Sequence, residues 1–312
     1  MIRRYTFNAE RVVETTEETA PIWVYVNPDE AERRYLIDTL KLDEHTLTSS
    51  LDPHELARVE YEPDHVAIII KRPRRYSAAD NFLFKVMSLG LFMFESRLVV
   101  VTSEDMPVFD GRKLIRMSSI QDLLLRLIYQ STFHFEEHIK VISLCSDEIE
   151  REISSSINNS QLLNMFTLEK SLVFYLEAIA SNRRVIDKIK TTAGRMKLTT
   201  PQIEFLEDIS IENEQCYDMA QIYSQVIASL MDARASLISN NLNILMKNLN
   251  AMVIAIAIPS FITGIGGMSE FTSAIGETNR LFGYCIFSAA MVALGMVIFL
   301  LIRKSERFWT TR

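Results

Sequence analysis

The sequence predicts an α+β cytosolic domain, then a long helical stalk and two C-terminal transmembrane helices. Three observations carry that prediction. Residues 248–269 and 281–302 form two stretches of 22 residues without a charge. Residues 118–200 contain a single glycine, Gly194, and no proline, with apolar residues at helical spacing. Residues 1–117 instead show short β-branched and aromatic runs broken by proline and glycine.

Twenty-two residues make ~33 Å of helix, against ~30 Å of bilayer hydrocarbon. Buried core helices are usually shorter and keep a polar stripe, whereas 281–302 is apolar nearly all round. The charges fit a membrane. The chain of 312 residues has 33 Lys+Arg and 40 Asp+Glu, a formal −7. From Met246 onward there are three acids and six bases, so the tail carries +3 and the rest −10. An acidic total argues against a nucleic-acid binder, and an acidic body with a basic, apolar tail is not the plan of an ordinary soluble enzyme.

Lys247 precedes the first span, and Arg303, Lys304 and Arg307 follow the second, while the 270–280 connection is short and poor in base. The positive-inside rule then places both termini in the cytoplasm and the short loop outside, in the cell membrane. Phe308 and Trp309 sit where interfacial aromatics belong. The N-terminus lacks an apolar signal-peptide core. Cys145, Cys216 and Cys285 are far apart and odd in number, which excludes a disulfide framework and a four-thiolate zinc site. The expected domains are 1–117 (α/β), 118–245 (long-helix stalk) and 246–312 (transmembrane, with a basic cytosolic tail).

In the first domain we expect strands at 22–26, 67–71 and 82–102. The last is long enough for a hairpin, with Ser88-Leu89-Gly90 as its turn or a bulge. Helical stretches are expected at 28–41, where Pro28 suits a first turn, and at 53–59. Stalk helices are expected at 118–155, 160–194 and 201–268. Thr199-Thr200-Pro201 starts the third, with Glu204 following. That helix would run ~100 Å from cytosol into membrane.

Alternating steps of four and three along it from Asp218 give Ile222, Gln225, Ser229, Asp232, Ser236, Ser239, Asn243, Met246, Asn250, Val253, Ala257, Ser260 and Gly264. This stripe is polar or small at nearly every position and crosses the membrane boundary in phase. A neighbouring seam is apolar: Cys216, Ala220, Tyr223, Ile227, Leu230 and Leu237. Adjacent polar and apolar seams suit a helix bundle around a water-filled axis, with the polar stripe lining a pore. The first span also holds Pro259, Thr263, Gly266 and Gly267, small and polar residues that mark close packing or a water-facing surface.

The run Asn243-Ile244-Leu245-Met246-Lys247, followed by a first span ending Gly267-Met268-Ser269, resembles the CorA-type family of divalent-cation channels. That family shows an Asn-x-x-Met-Lys start and a first span closing on Gly-Met-Asn. The resemblance in architecture covers the chain, and in residues about 243–269. It implies a CorA-like homopentameric funnel: the partners are four further copies, the lipid bilayer and divalent cations (Mg²⁺, Co²⁺ or Zn²⁺), with no enzymatic activity, no cofactor and no nucleic acid. It places Asn243, Met246 and Leu249 on pore-facing positions, and it implies that Gly267, Met268 and Ser269, with Glu270 beside them, form the outer mouth.

In the family an Asn ring holds hydrated Mg²⁺ there. Ser269 replaces that Asn with a shorter hydroxyl, giving a wider and weaker ring, and Pro259 stands one residue later than the family's proline. Carried over the same way, Asp208 falls where relatives place a carboxylate of an inter-subunit regulatory metal site. Its other reading is a solvated acid beside Glu204, Glu207 and Glu212. Asp232 lies in the polar stripe, where oxygen ligands attract cations.

Two further readings stay beside the Mg²⁺ channel. A Zn²⁺ transporter or a non-transporting membrane scaffold would follow from Ser269. A metalloprotease would rest on His134-Phe135-Glu136-Glu137-His138, an H-x-x-E-H pattern whose ordinary reading is a polar helix face. The Lys71-Arg72-Pro73-Arg74-Arg75 cluster reads as solubilising charge at a strand end.

Overall fold

The computed structural model describes residues 1–8, 11–105, 109, 117, 119–155, 159–266 and 280–310. It divides into two compact units, Met1–Met231 and Asp232–Arg312.

In the first unit, β1 (Ile2–Asn8), β2 (Arg11–Thr15), β3 (Ile22–Val26), β4 (Arg58–Tyr61), β5 (His65–Pro73), β6 (Val86–Phe94) and β7 (Leu98–Thr102) form one sheet in the order β2-β1-β3-β7-β6-β5-β4. All neighbours are antiparallel except β3 and β7, which are paired in parallel, Val24 opposite Val100. The centre of the sheet is a continuous apolar run on both faces, as burial on both sides requires: every residue of β3 and β7 is buried.

One face, through Val24, Ile68, Ile70, Leu91 and Val100, packs on α3 (Ile120–Ser155), α4 (Asn159–Thr191) and the start of α5 (Thr200–Gly266). The other, through Trp23, Ala67, Phe92 and Val99, is covered by a π-helical turn Tyr35–Thr39, which follows α1 (Glu30–Arg34), and by α2 (Glu44–Ser49). Away from the sheet, Phe135, Ile139, Leu172 and Tyr175 close a three-helix core with Cys216, Ala220 and Ile227. The apolar seam read from α5 is therefore core as far as Leu230, and Leu237 is exposed.

Several expectations need correction. Residues 53–59 are not helical. Helix α2, capped by Asp43 accepting from the Thr46 N–H at 2.8 Å, ends before Pro53, and the chain turns into β4. Ser88-Leu89-Gly90 is neither turn nor bulge. β6 runs through it with Gly90 opposite both Ile69 and Val101, and the chain reverses at Glu95-Ser96-Arg97. Gly90 is needed for close approach: a Cβ there would lie 2.6 Å from Ser50 Cβ. Helix α1 is capped by Asp29 in a capping box with Glu32 rather than opened by Pro28. At the start of α5, the partner of the Thr199 N–H is Gln202 Oε1 at 2.9 Å, not Glu204.

In the second unit, the remainder of α5 packs on α6 (Arg280–Thr310). Both helices are long and apolar enough to cross a membrane.

Candidate functional site

Pro259 lies inside α5 and has no N–H to give the carbonyl of Ala255. Gly295 of α6 fits against that carbonyl, since a Cβ at Gly295 would stand 2.9 Å from Ala255 O and 3.4 Å from Pro259 Cγ. The Thr263 hydroxyl donates to Pro259 O at 2.7 Å, so the polar groups of this turn stay within the helix. Ala251 and Ala255 are buried and Pro259 and Ile262 half-buried, which marks the face of α5 turned to α6.

At 100° per residue, the positions Asn250, Val253, Ala257, Ser260 and Gly264 centre roughly 180° round the helix from that face. All five are exposed in the single chain, as are Asn243, Met246 and Leu249 before them. The structure therefore brings the predicted stripe together on one uncovered face of the first span. Ser260 also borders a groove beside α6, with Thr263, Met291 and Phe299. Gly267, Met268, Ser269 and Glu270 lie outside the described residues. Helix α6 is exposed along nearly its whole described length, with Phe282, Val292, Met296 and Leu301 outward, as a lipid-facing helix would be.

Asp208 is an exposed acid on α5 in the first unit, and its neighbour Glu207 pairs with Lys190 at 3.2 Å. Asp232 is exposed at the start of the second unit. Among the described residues no three His, Cys, Asp or Glu side chains cluster to hold a metal.

The H-x-x-E-H stretch is neither a ligand pair nor a plain polar face. His138 Nδ1 lies 2.7 Å from the Tyr175 hydroxyl, within an aromatic group that includes Phe84. Burial, helped by the Arg72 charge, pushes its pKa down to about 4, so the ring is neutral.

The basic cluster is also not simply surface charge, because Lys71 and Arg72 are 4% and 3% exposed. Lys71 Nζ donates to Pro53 O and Ser88 Oγ, both at 2.8 Å, and burial lowers its pKa to about 8 against the pull of Asp52, Glu55 and Glu177. Sequence reasoning missed a further group, Arg4, Trp23 and Arg97. Spread over 94 positions, these residues meet only because β1, β3 and β7 are neighbours in the sheet.

Comparison with known proteins agrees with this arrangement. The chain is 25% identical over 305 residues to the cobalt/magnesium transport protein CorA of Methanocaldococcus jannaschii, covering 93% of this chain and 92% of that one. The complete structure of the CorA magnesium transporter from the same organism superposes with a TM-score of 0.77 at 24% identity, covering 97% of each chain. The ZntB cytoplasmic domain from Vibrio parahaemolyticus shares the fold at 14% identity and a TM-score of 0.51, covering 74% of this chain and 98% of that domain. The family described as CorA-like Mg²⁺ transporter protein matches residues 18–304, nearly the whole chain. With two apolar helices behind an α/β unit and a single long α5 leading into the first of them, this protein belongs to the CorA-like Mg²⁺ transporter family.

Proposed function

We propose that the protein is a homopentameric channel that moves Mg²⁺ across the cell membrane, with α5 lining the pore and α6 facing lipid. The observation that carries the reading is the uncovered stripe on the first span. Asn250 and Gly264 sit on the face turned away from α6, with Ser260 at the edge of that face beside the α6 groove, and amide or hydroxyl groups facing hydrocarbon would be costly. Copies arranged around an axis place that stripe on water, with Asn243, Met246 and Leu249 at the cytosolic end and Val253 and Ala257 between. In this reading both termini are cytoplasmic, and the functional division falls at 1–117, 118–245 and 246–312. The relatives' names support divalent-cation transport. The chemistry asked of the chain is attraction and passage of a hydrated ion, with no covalent step.

The outer mouth is proposed to be Gly267, Met268, Ser269 and Glu270. Five Ser269 hydroxyls make a wide ring of neutral oxygens, and Mg²⁺, which gives up its water reluctantly, passes as a hydrate. Five Glu270 carboxylates concentrate divalent ions, within a field screened over ~8 Å. Asp208 and Asp232 are proposed to meet cations in the cytosolic part.

Uptake of Mg²⁺, Co²⁺ and Zn²⁺ into vesicles containing the purified protein tests the reading. Ser269→Asn is expected to sharpen the preference for Mg²⁺, and Glu270→Gln to lower uptake of every divalent ion, most at low ionic strength. Uptake of Zn²⁺ alone would favour a Zn²⁺ transporter, to which Ser269 and the ZntB-like fold also point. No uptake of any ion would leave a membrane scaffold.

A further inference from the structure

The sheet face that carries Trp23 holds a cleft of about 580 Å³ that ion transport does not use. Its border includes Arg4, Glu18, Trp23, Tyr25, Tyr35 and Arg97. Strand register puts Arg4 opposite Trp23 across β1 and β3, and Arg97 immediately before β7. The Arg97 guanidinium carbon stands 3.8 Å from the centre of the Trp23 ring, and that of Arg4 stands 5.7 Å from it. Among the described residues neither guanidinium has a carboxylate partner. Both cations border the same cleft, and an anion seated in it would be attracted by each.

The floor adds donors. Trp23 is 5% exposed, and its Nε1–H has no hydrogen-bond partner, nor has the buried Nε–H of Arg4. The Tyr25 phenol is pushed up to about 12 by burial first and then by Tyr35 and Glu32, so it stays protonated and able to donate. Of the two bordering carboxylates, Glu32 accepts from the Asp29 N–H at 3.0 Å and the Met1 ammonium at 2.9 Å, and Glu18 is exposed. At the rim the Tyr35 ring is exposed, its centre 6.2 Å from that of Trp23, and it opens the π-helical turn Tyr35–Thr39. Turns of that kind are rare and are frequently found at functional sites.

A second cleft, of about 380 Å³ beside Lys71, differs in charge: there Arg74 is paired with Glu104 at 2.8 Å and Lys85 with Asp80 at 3.3 Å. Free guanidinium forks, buried donors and an exposed aromatic edge coincide at Trp23.

We propose that the Trp23 cleft binds a nucleoside phosphate, with phosphoryl oxygens on Arg4, Arg97, Trp23 Nε1 and the Tyr25 hydroxyl, and the base on the Tyr35 ring. Paired Arg forks match phosphate geometry, and the volume exceeds what a bare phosphate needs. A free polyphosphate offers the same oxyanion chemistry without a base, and the test separates the two.

The chain has two tryptophans. Full-length protein in mild detergent with Trp309→Phe leaves Trp23 as the sole indole reporter, and chelating divalent ions keeps the nucleotide metal-free. ATP, AMP and tripolyphosphate are titrated with tryptophan fluorescence as readout, and equilibrium dialysis of labelled ATP gives a second one. We expect saturable ATP binding, with tripolyphosphate weaker by at least about tenfold. Arg4→Gln and Arg97→Gln should each weaken ATP by at least about tenfold, and Arg74→Gln in the other cleft should bind as wild type.

Melting midpoints without ligand establish that the variants fold. Tyr35→Ala offers an independent check, since it should weaken ATP and leave tripolyphosphate unchanged. Absence of saturation below about 10 mM ATP, equal affinity for tripolyphosphate, or unchanged ATP binding in both arginine variants overturns the proposal.

Discussion

Lys71 shows how one residue ties the sheet to its surroundings. Its N–H donates to Asn182 Oδ1 at 2.7 Å, and its carbonyl accepts from Asn182 Nδ2 at 2.7 Å and from the Ser131 hydroxyl, so α3 and α4 are fastened to β5 at one residue. The amine, on the other face, is buried and its pKa is lowered to about 8. Between about 8 and the ordinary lysine value the unfolded chain binds more protons than the folded one, so folded stability rises with pH through that window. Thermal midpoints of the first unit's transition should therefore climb from about pH 8 to about pH 10 by an amount worth up to about 3 kcal/mol. Lys71→Met should flatten that rise, and an unchanged slope in the variant would show that Lys71 is not its source. Tyr175→Phe is a companion case. It removes the hydroxyl that meets His138 Nδ1, and it should cost about 1–2 kcal/mol of stability without exposing a metal site.

Among the elements, the α5–α6 pair depends on a proline and a glycine that answer each other. Pro259 frees the Ala255 carbonyl, and Gly295 lets α6 approach it. Gly295→Ala would drive a methyl to within 2.9 Å of a backbone oxygen, and backbone cannot rotate aside as a side chain can. We expect a loss of about 1–3 kcal/mol in the packing of the two helices. It should be read as a lower melting midpoint of the full-length protein. Gly264→Ala is the contrast, because nothing lies within 4 Å of a Cβ there in the single chain. A pore-lining Gly264 predicts that this substitution leaves the melting midpoint unchanged while lowering uptake. Unchanged uptake with an added bulky side chain, as in Gly264→Leu, would remove Gly264 from the pore.

At the scale of the whole molecule, the proposed pore has other copies cover the exposed face of α5. Mass measurement in mild detergent should return a pentamer, and a monomer or dimer would end the pore reading. If the Asp208 carboxylates bridge neighbouring subunits through metal, millimolar Mg²⁺ should protect the cytosolic part from proteolysis by lowering repulsion within a body of charge −10. Asp208→Ala should then lose that protection. Equal protection in wild type and variant would leave Asp208 as the exposed surface acid the single chain shows.

Local pattern was enough for whatever depends on neighbours along the chain. The two spans, the three long helices and strand Ile22–Val26 follow from runs and periods that the residues themselves carry. So does the stripe from Asn243 to Gly264, because helical geometry alone puts those positions on one side. The β1–β2 hairpin escaped that reading, since Tyr5 and Phe7 alternate with Arg4, Thr6 and Asn8 over only one short run and the adjacent Val12 and Val13 of β2 do not alternate. Gly90 misled it, because a glycine serving close contact with Ser50 looks in sequence like one serving a turn. Long-range placement was decided only by the tertiary structure. Lys71 and Arg72 became buried because α2, α3 and α4 close over both faces of β5, and His138 became a neutral partner of Tyr175 because α4 lies against α3. The same strand order carried Arg4 and Arg97 to the Trp23 ring. No local spacing encodes such meetings, because they arise from strand pairing and from apolar burial summed over the whole sheet.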